Sequence, residues 1–136
     1  MERRRSFAPV VFRSALIAAG VTAAYRTGRR YRRFAISGHS MKRALLPGDW
    51  VLVDQFAYRS RLPKRGHIVV AGDPREPARH IVKRVSAVDL HGLVRIEGDN
   101  AEESTDSRHF GPIPVTLLLG RVRWRYWPPG RVGSVI

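Results

Sequence analysis

Two apolar patterns divide the chain. From residue 7 to residue 25 apolar side chains run almost without a break, with Arg13 as the one charge, and arginines stand on both sides: Arg3, Arg4 and Arg5 before, Arg26, Arg29, Arg30, Arg32 and Arg33 after. Beyond Arg33 the apolar residues come in short runs closed by Gly, Pro or Asp. Val51-Leu52-Val53 follows the turn Pro47-Gly48-Asp49, and Ile68-Val69-Val70 follows Lys64-Arg65-Gly66. Residues 81–88 alternate, residues 93–97 alternate after His91-Gly92, and residues 117–126 make a long run broken by Gly120. A period of two, punctuated in this way, marks strands and turns. The pattern predicts an N-terminal helix in residues 1–33 and an all-β domain of small antiparallel sheets in residues 34–136.

The N-terminal segment leaves two readings open. Arg13 costs about 2.5 to 3.5 kcal/mol near a bilayer centre. The dozen residues after it reach only roughly 18 Å at about 1.5 Å per residue, short of a hydrocarbon core of about 30 Å. A spanning anchor and an interfacial helix held by its arginines weigh equally, ahead of a plain amphipathic helix. A cleavable export signal is not favoured, because the arginines from Arg26 onward leave no small-residue cleavage site. If the segment spans, the larger arginine cluster on its C-terminal side keeps Ser40 in the cytoplasm, with the extracytoplasmic face as the alternative.

At 136 residues with 43% hydrophobic content, the chain can bury one modest core. Zero cysteines exclude disulfides, thiolate catalysis and thiolate zinc sites. The five histidines are scattered, which argues against a metal site. A net charge of +14 draws the chain to an anionic membrane surface or to nucleic acid. Trp124, Tyr126 and Trp127 among Arg121, Arg123 and Arg125 could stack bases. Strict alternation instead puts Val122, Trp124 and Tyr126 on one face as a core edge and the arginines on the other, and no specific nucleic acid is indicated.

The chemistry lies in two short stretches, Ser37-Gly38-His39-Ser40-Met41 and His80-Ile81-Val82-Lys83-Arg84-Val85. On a strand Ile81, Lys83 and Val85 share the apolar face, leaving Arg84 to water. A serine hydroxyl attacks only when a neighbour takes its proton, and a lysine does that only as a neutral amine. Burial supplies neutrality: bringing the amine from about 10.4 to roughly 7 to 8 takes about 4 kcal/mol of desolvation. His39 is no rival base if the segment is extended, since its side chain then points away from that of Ser40.

A third stretch runs Gly98-Asp99-Asn100, then Ser104, then Asp106-Ser107-Arg108. Together with Gly38-His39-Ser40-Met41, Gly48-Asp49, Arg65-Gly66-His67-Ile68-Val69 and Val82-Lys83-Arg84-Val85, it resembles the signal-peptidase-I-like (S26) serine proteases with a Ser/Lys dyad. The boxes follow the family's order over about three quarters of the chain. The resemblance implies a β-rich catalytic core in minimal form, with Ser40 as nucleophile and Lys83 as general base. It also implies that Ser104 orients the amine and that Asp106 and Arg108 hold the loop. Gly38 and Met41 belong to the nucleophile box, and no cofactor is implied. Gly38 stands where many members carry a hydroxyl that helps bind the oxyanion, so backbone N–H groups, that of Ser40 among them, would take that role. Arg43-Ala44 replaces the usual Pro-Thr, and the Gly-x-Pro-Gly-Asp that often follows the lysine is missing.

Within the family, the stretch from Ser104 to Pro112 and the tail Arg125-Tyr126-Trp127-Pro128-Pro129 most resemble the proteases that mature nickel-type superoxide dismutase. That likeness implies a dismutase precursor as substrate, trimmed of an N-terminal peptide. A minimal signal peptidase cutting exported preproteins is the alternative within the class. A basic, non-enzymatic module binding nucleic acid or membrane is the alternative outside it.

Overall fold

The computed structural model describes Ala23 and residues 27–136. The expectation for residues 7–25, spanning or interfacial, falls outside the described residues save for Ala23. Among those described, no helix is long and apolar enough to cross a membrane.

Tyr31–Ile136 form one compact unit. Its strands are β1 (Tyr31–Ala35), β2 (Trp50–Asp54), β3 (Ile68–Asp73), β4 (Glu76–Val88), β5 (Leu93–Glu97), β6 (Ile113–Pro114), β7 (Leu118–Trp127) and β8 (Gly133–Ser134), with one turn of α-helix, α1 (Ser107–Phe110), and three short 3-10 turns. Every pairing is antiparallel, so the domain is all-β. The order is β1-β2-β7-β3-β4-β5-β6, with β8 beside β7.

β3 explains how one small domain holds two clusters of apolar side chains. Its run Ile68-Val69-Val70-Ala71 is buried throughout, as expected of a strand covered on both faces. Ile68 and Val70 join Met41, Leu45, Val51, Val53 and Val122 in one cluster. Val69 and Ala71 join Ile81, Val85, Val94, Ile96 and Ile113 in the other. Register carries the same division into β4: Val69 pairs with Lys83 and Ala71 with Ile81, while Val70 pairs with Val82.

Three sequence expectations change here. β1 was hidden in the arginine cluster because Arg32 and Arg33 are exposed on an edge strand, where charge discourages further pairing. Gly120 does not break β7. A Cβ there would lie 2.5 Å from the Asp54 carbonyl oxygen and 2.8 Å from Val53 Cγ1, so glycine lets β2 pass close by. Finally, the two faces of β7 do not divide by simple alternation. Val53 pairs with Val122 but Leu52 with Trp124, which leaves Arg123 as an extra residue and reverses the faces at Trp124 and Arg125; Tyr126, a second extra residue between the Val51–Arg125 and Trp50–Trp127 pairs, puts Trp127 on the side of Trp124. Trp124 consequently turns outward, 43% exposed. Arg125 turns toward the side of buried Val51 and donates from Nη1 to the Ala44 carbonyl at 2.9 Å.

Candidate active site

Ser40 sits in a succession of turns rather than on a strand. Lys42 N–H donates to the His39 carbonyl at 3.1 Å, and the N–H groups of Ala44 and Leu45 donate to the Met41 carbonyl at 2.9 and 2.7 Å. Met41 and Leu45 plug into the first apolar cluster and anchor this turn from below. Buried Asp49 holds it from the far end, accepting from Leu46 N–H at 2.9 Å and pairing with Arg131 at 3.0 Å. Among the described residues the Ser40 N–H has no hydrogen-bond acceptor. Gly38 is exposed, and a Cβ there would meet nothing within 4 Å.

Lys83 lies on the second-cluster face of β4 between Ile81 and Val85 and is 4% exposed. Its Nζ donates to Ser104 Oγ at 2.9 Å. The pKa of the amine falls from 10.5 to about 8: burial is the largest cause, the charge of Asp106 opposes it, and the positive charges of Arg79, Arg108 and Arg75 act with it. At that pKa roughly a fifth of the amine is neutral near pH 7.4, against about a thousandth at the ordinary lysine value.

Ser104 is itself directed. Its hydroxyl donates to Asp106 Oδ2 at 2.5 Å, which leaves an oxygen lone pair to receive the lysine N–H. Asp106 has no exposed surface. It accepts from Gly98 N–H at 2.8 Å, from Arg108 N–H at 3.1 Å, and from Arg108 Nε and Nη2 at 2.9 and 2.5 Å. Burial alone would raise its pKa, but the bonds from Arg108, Gly98 and Ser104 outweigh that and hold the carboxyl well below the usual range. The same carboxylate caps α1, so one buried charge organises both the short helix and the loop.

Ser40 and Lys83 open on one cleft of about 320 Å³, lined also by Gly38, His39 and Met41. Its walls come from the region of β1 and from β4, linked where the rings of Phe34 and His80 meet edge to face at 5.9 Å. Residues 32–35 of β1 pair only with β2, and residues 76 and 80–83 of β4 pair only with β3, so each wall has an unpaired strand edge among the described residues.

Arg84 does not stay in water. Its Nε and Nη2 donate to the two carboxylate oxygens of Asp99 at 2.8 and 2.9 Å, and Nη1 donates to the Gly66 carbonyl at 2.9 Å. The face of β4 opposite Lys83 is lined with these acceptors, which a strand-only reading does not see. The contact matters because Asn100, next to Asp99, grips the turn that carries Ser40. Its N–H donates to the Ser40 carbonyl at 2.9 Å and its Nδ2 to the His39 carbonyl at 3.3 Å. The adjacent Gly98 allows this approach: a Cβ would lie 2.2 Å from Ser104 Oγ and 2.7 Å from the Ser40 carbonyl oxygen. Asp99, Asn100 and the space requirement at Gly98 carry no alternation signal. The run Gly98-Asp99-Asn100 was their only trace in the sequence.

Known proteins are similar to this sequence over most of its length. Residues 8–89 and 91–127 match the family described as signal peptidase, peptidase S26. The chain is 35% identical over 122 residues to the mitochondrial ATP-independent inner membrane protease subunit 1a of Arabidopsis thaliana, covering 74% of this chain and 73% of that protein. It is 35% identical over 111 residues to the mitochondrial inner membrane protease subunit 1 of Mus musculus, covering 68% and 67%. With subunit 2 from Danio rerio it shares 32% identity over 117 residues, covering 71% and 64%. A match across both walls of the cleft and the loop behind it leaves one conclusion: the chain belongs to the signal peptidase family, peptidase S26, and is a serine endopeptidase.

Proposed function

We propose that this peptidase works through Ser40 and Lys83 and removes an N-terminal peptide from a precursor protein, with nickel-type superoxide dismutase as the substrate. The observation that carries the dyad is a buried amine, tied to Ser104, facing the same cleft as Ser40. Ser40 Oγ attacks the scissile carbonyl while the neutral Lys83 amine takes its proton. The oxyanion is stabilised by the free Ser40 N–H. Lys83 then gives the proton to the departing amine, and a water deprotonated by the same lysine hydrolyses the ester. Ser104 aims the amine. Asp106 and Arg108 keep Ser104 in place, and Met41 and the open surface at Gly38 set the floor and mouth of the site. The unpaired edges of β1 and β4 suit an extended substrate segment, which can hydrogen-bond to both.

The choice of dismutase rests on the likeness of residues 104–112 and of the C-terminal tail. The reading of a leader peptidase for exported preproteins draws support from the relatives, which are named inner membrane proteases. Membrane association is part of the proposal. It is supported by those names, by the arginine-flanked segment of residues 7–25, and by Trp50, Trp124 and Trp127. These tryptophans are 43, 43 and 51% exposed on a shared face of β2 and β7, and such side chains suit the headgroup region. The arginine balance puts the catalytic side in the cytoplasm.

Incubation of the purified protein with dismutase precursor, followed by mass spectrometry, tests the substrate. A single N-terminal truncation absent with Ser40→Ala and with Lys83→Ala is expected. An intact precursor, beside cleavage of an exported preprotein, would transfer the assignment to the second reading. A topology reporter at the C-terminus separates the two faces of the membrane.

A further inference from the structure

The cleft holds a cation that the mechanism does not use. Arg79 comes just before His80–Arg84, the part of β4 that pairs in unbroken register with β3. Lys83 and Ile81 are buried, while Arg79 is exposed, and all three line the cleft with Ser40. The other guanidinium on this wall, Arg75, is already matched: its Nε and Nη2 donate to the two oxygens of buried Asp73 at 2.9 and 2.6 Å. The carboxylate on the opposite wall, Glu103, accepts from Asn100 Nδ2 at 2.9 Å. Arg79 makes no hydrogen bond or ion pair with another described residue.

The guanidinium works in the site's favour, since its field lowers the affinity of Lys83 for a proton, and the carboxylate it acts on through space, Asp73, is held by Arg75. Arg79 also has five donors ready for an anion. Arg79 is four residues from Lys83, about 13 Å along the strand at roughly 3.3 Å per residue. A substrate lying extended against the free edge of β4, with its scissile carbonyl at Ser40, brings a side chain about four residues from that bond next to Arg79.

We propose that Arg79 is a specificity residue that selects a carboxylate side chain, Asp or Glu, about four residues from the scissile bond. The inference rests on the peptidase reading above. It is tested on labelled neutral peptides in which one Asp is moved through every position. Fluorescence anisotropy with the non-cleaving Ser40→Ala protein measures binding, and the wild type measures cleavage. One Asp position should bind about three- to tenfold more tightly than the neutral parent, the range of a charge-assisted contact partly open to water. In the Arg79→Gln background that gain should vanish, and in Arg79→Glu it should pass to the peptide carrying Lys at the same position. No preferred Asp position, or a preference that survives Arg79→Gln, overturns the proposal. Because binding is read without catalysis, peptides that bind with an Arg79-dependent preference yet are never cut count against the peptidase reading alone.

Discussion

Replacing Lys83 with methionine should abolish activity and at the same time stabilise the domain at neutral pH. Lys83 is 4% exposed, and burial lowers its pKa from 10.5 to about 8 in the folded protein, whereas in the unfolded chain it titrates near 10.4. Below pH 8 both states carry the proton, and folding bears the full penalty of holding a charge that the interior disfavours. At about 1.36 kcal/mol per pH unit, that penalty is roughly 3 kcal/mol. It fades between pH 8 and about 10.5, as the folded protein is already neutral and the unfolded chain loses its proton as well. Methionine fills a similar volume without charge. It forfeits the hydrogen bond to Ser104, worth about 1 kcal/mol, while Ser104 keeps its bond to Asp106. The net expectation for Lys83→Met is a gain of roughly 1 to 2 kcal/mol at pH 7, turning into a loss of up to about 1 kcal/mol by pH 10.5. Urea unfolding followed by tryptophan fluorescence at pH 7, 9 and 10.5 measures both. A variant less stable than wild type at pH 7, with a difference that does not move with pH, would refute the reasoning: it would mean a lysine charged and fully compensated in the folded state. On the proposed dyad, the same titration sets the rate. With a pKa of about 8 for Lys83, kcat/KM should climb about tenfold per unit below pH 7 and level off above pH 8.

Asp106→Asn strips the loop of its buried charge and leaves Arg108 half-partnered. A loss of about 2 to 4 kcal/mol is expected in thermal or urea unfolding, less than for a fully buried pair because Arg108 is partly solvated. Since Asp106 holds its proton more weakly folded than unfolded, the wild type keeps this contribution above the ordinary carboxylate range and loses it only in acid, below about pH 4. In whatever activity Asp106→Asn retains, the acid limb of the pH profile should move to lower pH, because the carboxylate charge raises the pKa of Lys83. A limb that stays in place would exclude that coupling. Gly98→Ala drives a methyl against Ser104 Oγ and the Ser40 carbonyl, so kcat should fall about a hundredfold, the scale of a misplacement of about 1 Å at a reacting centre. Unchanged kinetics in that variant would show that the two segments can part without harm.

The alternation along residues 81–88 was enough to place Lys83 among apolar neighbours, because strand periodicity is local and survives in any β context. The same rule misread residues 122–126, where an extra residue at Arg123 reverses the faces. A bulge is a relation between two strands, and no single strand records it. Arg84 shows a similar limit. Its place opposite Lys83 follows from alternation, but its partners, Asp99 and the Gly66 carbonyl, come from distant turns.

From its residues alone, this chain established a β domain after an arginine-flanked apolar segment, a serine and a lysine in separate boxes, and the loop that accompanies them in a known family. Each of those properties is carried by a short stretch of neighbouring residues. Only the tertiary structure decided that Gly38, Ser40, Met41 and Lys83 border one cleft, with Ser104, Asp106 and Arg108 tied to the lysine by hydrogen bonds. It alone left Arg79 without a partner there among the described residues. Burial, hydrogen-bond direction and the matching of charges depend on segments brought together across the sheet, and those distances exist only once the chain has folded.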